Sequence, residues 1–514
     1  MDIKVNSQVR TQSGDRDQWP ARVRKPRVIV IGAGVGGLAA AIGLASRGAA
    51  VTLLDSAARP GGKLRALPSA GGGIDAGPTV FTMRFVFDAL FAAAGTTLDQ
   101  HLTMRPLDLL ARHAWNQSET LDLFADIDRS ADAIAAFAGP AEAAGYRAFR
   151  ARAAHVHRVL RAPFMQAQKP SALSLTAGAG LADMWRVAPF STLWRTLGAH
   201  FRDPRLRQLF GRYATYSGSS PFQAPATLML IADVEHQGVW IIDGGMARLA
   251  ETMTRLASAL GTAVRANATV AEILTRDGRA RGVRLTDGER LDADAVVCAT
   301  DFAALSAGLF GPDVARAVPP AGAARRSLSA VTWTLSAATS GFPLSRHNVF
   351  FSRDYAAEFD AIFRRRALPT EPTVYVCAQD RGGGVAAANG PERLLVLINA
   401  PANGDHETFT AAEIEQCETA TFGVLARCGL TLDRRTATVT TPADFARMFP
   451  ATGGALYGQA MHGAMAAFRR PGARSAIPGL YLAGGSVHPG PGLPMAALSG
   501  RLAAEAVFQD LTSA

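Results

Sequence analysis

The chain has 514 residues, 48% hydrophobic and 19% charged. That describes a globular protein with ample length to bury a core, built as two to four domains or as one large enzyme with interleaved domains. Its net charge of +10 suits an anionic membrane surface, and the absence of a recognition motif or a long Lys/Arg block argues against nucleic acid.

The stretch through Arg27 is polar and basic, with seven Lys/Arg against three Asp. It lacks the apolar core and cleavage site of a signal peptide and reads as a flexible tail over residues 1–26. Val28–Ile31 reads as a short buried strand, and Gly32, Gly34 and Gly37 give a G-x-G-x-x-G turn. Gly37–Arg47 reads as an Ala/Leu-rich helix, and Ala50–Leu54 as a second strand ending in Asp55. The first glycine permits a tight turn, the second lets backbone approach a pyrophosphate, and the third lets the helix pack on the sheet. The helix N-terminus offers free N–H groups to phosphate. Asp55 lies 23 residues past Gly32, where a carboxylate accepts hydrogen bonds from ribose hydroxyls. Val28–Ser46 carries no charge and has the length of a membrane span, but its five glycines are better explained by the nucleotide motif. The motif alone does not choose between NAD and FAD. Arg59-Pro60-Gly61-Gly62-Lys63 follows, and its glycine pair and basic groups can reach a second part of the cofactor.

Asp75 and Gly77-Pro78 make a turn and Thr79–Thr82 a short strand. Phe85–Ala94 is helical by its spacing, with Phe87, Leu90 and Phe91 on one face. Leu107–Leu110 and Ser118–Phe124 read as strands, and Asp126–Ala138 as a helix capped by Asp128 or Ser130. Ala141–Asp203 is helical and basic in pattern. Leu181, Met184, Trp185 and Ala188 are spaced i, i+3, i+4, i+7, and after Pro189 the same spacing recurs in Phe190, Leu193, Trp194 and Leu197. Two readings stay open: a buried core stripe, or an interfacial membrane contact flanked by Arg158, Arg161, Arg186, Arg195 and Arg202. A helix at Ala226–Glu235, a strand at Gly238–Ile242 and a turn at Asp243–Met246 lead into helix Met246–Leu260. Val264–Ile273 is a strand pair, and Ala295–Ala299 a parallel strand before a crossover. Pro319–Arg470 alternates strands (Ser329–Leu335, Val374–Ala378, Leu394–Asn399) with a helix at Ala411–Arg427. Its polar candidates, His347, Asp354, Asp380 and Asn399, are residue types found more often at surfaces and turns than in catalysis. Leu480–Ala483 is a strand, and the glycine-rich loop to Pro494 opens a helix from Met495, a second turn that can present N–H groups to a cofactor. Cys298, Cys377, Cys417 and Cys428 form no C-x-x-C and read as reduced, buried thiols of a cytosolic protein.

Three separated motifs resemble the phytoene/carotenoid desaturase family, part of the large FAD family that also holds the amine oxidases. They are the strand–acid–R-x-G-G-K run ending at Lys63, the aromatic strand followed by Gly244-Gly245-Met246, and G-G-S-x-H-P-G-P-G-L-P-M from Gly484 to Met495. Tyr213–Met246 is most similar to the 1-hydroxycarotenoid 3,4-desaturases of photosynthetic bacteria. The resemblance implies an α/β fold. A doubly wound, Rossmann-type FAD-binding domain (27–100, 236–310, 471–514) is interleaved with a helical, membrane-facing region (101–235) and an α+β substrate domain (311–470). It implies FAD held by Gly32, Gly34, Gly37, Asp55, Arg59, Gly61, Gly62, Lys63, Val270, Gly484, Gly485 and Met495, with Val270 against adenine. Many relatives carry Asp or Ala near Gly485, which leaves open which backbone groups hold the ribityl chain. It further implies an acyclic carotenoid substrate, peripheral attachment to the cytoplasmic face of a membrane, quinone or oxygen as electron acceptor, and no metal. His488 is a candidate for proton transfer or for orienting its loop. His347, Asn399 and Tyr213–Ser220 are candidates for pairing with a substrate hydroxyl. Other readings are a phytoene desaturase, an amine or protoporphyrinogen oxidase, and a flavin-less prenyl-binding escort protein. The intact Gly32/Gly34/Gly37, Asp55 and Arg59-Gly61-Gly62 set argues against the last.

Overall fold

A computed structural model describes residues 24–69, 71–171, 190–382, 390–406 and 408–513. Five strands drawn from both ends and the middle of the chain form one parallel sheet. They are β1 (Arg27–Ile31), β2 (Ala50–Leu54), β3 (Ala263–Arg265), β4 (Ala295–Cys298) and β5 (Leu480–Leu482), in the order β5-β4-β1-β2-β3. β1 is central, with Val28 registered against Ala295 on one side and Val51 on the other. A parallel strand covered on both faces needs no polar alternation, which is why Val28–Ile31 is uniformly apolar and buried.

Helix α1 (Val35–Ala45) follows β1 and is buried at every position. It lies against α2 (Leu493–Thr512), the last helix of the chain. Small residues set their separation: a Cβ on Gly43 would meet Ala504 Cβ at 3.1 Å, and one on Gly500 would meet Gly36 O at 2.1 Å. Close backbone approach of this kind excludes side chains.

The second sheet has seven strands, in the order 438–440, 329–337, 392–400, 374–378, 347–350, 109–114, 120–124. The pairing of Ser329–Ala337 with Glu392–Ala400 is antiparallel along both strands. Side chains alternate across a strand. Leu394, Val396 and Ile398 therefore join Trp333 and helix Ala411–Arg427 in one apolar cluster, while Leu395, Leu397 and Asn399 face a large internal cavity. Helices Ile127–Ala138, Pro140–Leu160 and Pro204–Gly211 close a third unit around Phe149, Phe201 and Phe210.

Several expectations need correction. The helix at Ile127 is capped by Asp126, which accepts from Arg129 N–H at 2.9 Å, and not by Asp128 or Ser130. Thr79–Thr82 is not a strand; only Phe81 makes a bridge, to Trp240. Ala226–Glu235 is not one helix but a 3-10 turn, Ala226–Met229, running into helix Leu230–His236. Of the two readings left open for the second stripe, the packing at Trp194 supports the core one. Trp194 is half-buried, 4.6 Å from the Phe222 ring and 6.1 Å from Tyr355, because Leu193 and Leu197 on the same turn are fully buried. Leu181, Met184, Trp185, Arg186, Ala188 and Pro189 lie outside the described residues, as does the tail up to residue 23.

Candidate functional site

The glycine turn sits at the C-terminal end of β1, at the middle of the parallel sheet, where this fold class binds ligands. Gly32 turns with φ +97°. Asp55, at the end of β2, accepts from Ala33 N–H at 2.6 Å through Oδ2 and from Ala57 N–H at 2.8 Å through Oδ1. It therefore ties the strand end to the turn and keeps lone pairs for a ligand. α1 begins at Gly34 with no side-chain cap, so its first amides are open to an anion. Gly34 pairs with Gly61, and a Cβ on Gly62 would stand 3.1 Å from Gly34 Cα. Gly484 approaches from the other side: a Cβ on Gly36 would stand 2.8 Å from Gly484 Cα. Three glycine segments, distant in sequence, thus converge on a cradle that side chains would fill.

The cradle opens into a cavity of about 2110 Å³. Ligand pockets commonly measure about 300–1,000 Å³, so this one has room for two large ligands. Gly32, Gly34, Asp55, Arg59, Gly61, Gly62, Lys63, Val270, Gly484, Gly485 and Met495 all line it. Gly37 does not; a Cβ there would lie 1.9 Å from Gly32 O, so its part is helix packing. Lys63 donates to Leu456 O at 2.5 Å and its Nζ lies 5.1 Å from the Phe449 ring centre. Burial lowers its pKa, partly opposed by Asp301.

His488 is off the cavity wall. Its ring Nε2 lies 3.0 Å from Ala167 O, and the ring stands edge-on to Phe164. Burial pushes its pKa down to about 4, so the ring is neutral at pH 7 and its Nε2–H donates to that carbonyl, which orients the loop. Asp354 caps helix Tyr355–Asp360, and Asp380 pairs with Arg393. His347 is buried, with Nδ1 2.7 Å from Tyr375 Oη. Asn399, Thr215, Tyr216 and Ser217 do line the cavity.

Three residues position the site without having been read as site residues from sequence, where Asp75 was only a turn residue. Asp75 is buried and accepts from Met246 N–H at 2.6 Å and Ala247 N–H at 3.1 Å, anchoring the start of helix Ala247–Ala259. Gln379 pairs with the Asp75 backbone in both directions, at 2.9 Å each, which joins the second sheet to the cradle. Arg470 is buried and donates to Gly485 O, Ser486 O, Tyr457 O and Gln459 O, holding the C-terminal glycine loop by its carbonyls. Burial lowers its pKa to about 10.

Residues 35–508 match the family of flavin containing amine oxidoreductases. The chain belongs to that family. A flavin on a dinucleotide-binding fold is FAD, and the side-chain-free cradle, the open helix end and the size of the cavity fit it. This flavoenzyme is 54% identical to the hydroxyneurosporene desaturase of Rubrivivax gelatinosus, over 96% of this chain and 95% of that one. It is 48% identical to the hydroxyneurosporene desaturase of Cereibacter sphaeroides, over 95% and 98% of the two chains. Cyclohexylamine oxidase from Brevibacterium oxydans shares the fold, with a TM-score of 0.58 and 17% identity over 95% of this chain and all of that one.

Proposed function

We propose that this flavoenzyme is a carotenoid desaturase acting on acyclic 1-hydroxycarotenoids, forming a double bond between C3 and C4. The observation that carries this reading is the 54% identity, over nearly the full length, to a protein named for that substrate class. The cavity supports it, because beyond the cradle its wall is built largely from apolar and aromatic side chains such as Phe164, Leu395, Leu397 and Phe468.

Desaturation removes two hydrogens from adjacent carbons, one with its electron pair and one as a proton. Bound FAD supplies the hydride acceptor that no ordinary side chain provides. Gly32–Gly37, Asp55, Gly61–Lys63 and the Arg470-held loop position that cofactor, and the aromatic wall orients the chain and excludes water. Positive charge developing on the substrate is spread over the polyene, which makes the adjacent proton acidic, so a weak base such as a water at the cavity mouth takes it and no strong base is required. Quinone or oxygen takes up the electrons.

A C40 polyene does not travel through water at useful concentration, so the enzyme works at a membrane surface. Phe190 and Met465, which are 88% and 47% exposed, both line the cavity and are the proposed contacts. No helix among the described residues is long and apolar enough to cross a bilayer.

The test is anaerobic mixing. 1-Hydroxyneurosporene should bleach the flavin absorbance of the purified enzyme, while phytoene leaves it unchanged. Bleaching by phytoene at the same rate would make the protein a phytoene desaturase.

A further inference from the structure

We propose that Arg212, with Tyr216 and Glu235, anchors the tertiary hydroxyl at the substrate's end and sets the preference for hydroxylated over hydrocarbon chains; this rests on the function proposed above. Arg212 lines the cavity, where a guanidinium surrounded by apolar walls is costly unless it is paired. It ion-pairs with no carboxylate among the described residues. Its side chain donates to Tyr216 Oη at 3.3 Å and lies against the Tyr216 and Tyr375 rings, 5.4 and 5.2 Å from their centres. A guanidinium has five N–H donors, so most of its capacity is unspent. Glu235 lines the same wall, with Oε2 accepting from Tyr213 Oη at 2.8 Å.

Behind this wall is a separate void of about 30 Å³. Arg212, Tyr216, Glu235 and Tyr375 line both spaces, and His113 and His347 close the far side. A void needs about 10–15 Å³ to hold a water, so this one has room for a single water on the back of the anchor, while the hydroxyl meets Arg212, Tyr216 and Glu235 from the main cavity. The anchor's wall is linked to the cofactor cradle. Tyr375 Oη is 2.7 Å from Thr79 Oγ1, and two residues earlier Gly77 packs so closely on Lys63 O that a Cβ would stand 1.8 Å from it. That link suits a hydroxyl carbon, C1, only two bonds from C3. A hydrocarbon end would leave the anchor unpaired, the arrangement that gives strong discrimination.

The experiment compares kcat/KM for 1-hydroxyneurosporene and neurosporene in the FAD-loaded enzyme, together with equilibrium binding of each carotenoid followed by tryptophan quenching. Arg212→Met should reduce the ratio of the two kcat/KM values by about 10- to 100-fold, mainly through KM, with the same loss in relative binding and unchanged flavin content. Tyr216→Phe and Glu235→Gln should reduce it in the same direction by less, and they decide the matter if Arg212→Met does not fold. A parallel fall for both substrates, leaving the ratio within about twofold of wild type, overturns the anchor. A wild type with no preference for the hydroxylated chain overturns the proposed function and the anchor with it. A wild-type preference that survives all three substitutions overturns the anchor alone.

Discussion

Asp55 was expected to bind ribose, and its carboxylate also holds two amides, Ala33 N–H and Ala57 N–H. Asp55→Ala removes charge-assisted hydrogen bonds worth about 1.5–3 kcal/mol each. It should weaken FAD binding about ten- to hundredfold, read as loss of flavin absorbance on dilution; full occupancy would move the ribose site elsewhere. At His488 the expectation concerns pH. With its pKa lowered to about 4, the ring stays neutral from pH 5.5 upward. The rate of flavin reduction should show no limb near pH 6.5 assignable to this residue. A limb there that His488→Gln abolishes would restore it as a proton carrier. Legibility at this scale follows pattern rather than sequence distance. Asp55 could be found because it ends a recognisable strand–helix–strand unit whose turn it holds. Arg470 could not, because its partners are backbone carbonyls, which leave no mark in the sequence, and Arg212 could not, because the cavity wall it shares with Glu235 and Tyr375 is assembled only in the folded chain.

At the scale of elements, the glycine-rich crossing of α1, α2 and the Gly484 loop decides whether the cradle exists. Gly36→Ala would place a Cβ 2.8 Å from Gly484 Cα and 2.9 Å from Gly484 N, backbone atoms that cannot swing aside. Overpacking of this kind costs about 1–3 kcal/mol, so thermal unfolding should shift down and flavin content should fall. Gly423 is the contrast. It is exposed inside helix Ala411–Arg427, and a Cβ there meets nothing within 4 Å. Gly423→Ala should stabilise by about 0.5–1 kcal/mol; a lower melting temperature would show that the helix surface is not free. The same contrast explains what periodicity could tell. Val28–Ile31 and Ala411–Arg427 were legible because burial on both faces and a Thr410–Glu413 capping box leave local marks. Trp194 was not, because i, i+3, i+4, i+7 spacing identifies an apolar stripe without saying what covers it; here Phe222 and Tyr355 do.

For the whole molecule, the interleaving of three chain segments in one parallel sheet joins the FAD cradle to a cavity walled by the second sheet. The C-terminal motif announced that return of the chain, whereas the join through Asp75 and Gln379 spans 304 residues and left no local pattern. Access from a membrane should depend on Phe190 and Met465. Replacing both by Ser should release the protein from anionic liposomes while the flavin spectrum is kept, and undiminished sedimentation with the vesicles would send the contact elsewhere. Trp194→Ser should instead lower the melting temperature, since that half-buried ring packs on Phe222 and Tyr355. The most direct measurement of the central claim is product analysis by chromatography after incubating the FAD-loaded enzyme with 1-hydroxyneurosporene and, separately, with phytoene. The account predicts a single 3,4-didehydro product from the hydroxylated chain and little or none from phytoene. Stepwise desaturation of phytoene, with no gain from the hydroxyl, would contradict it.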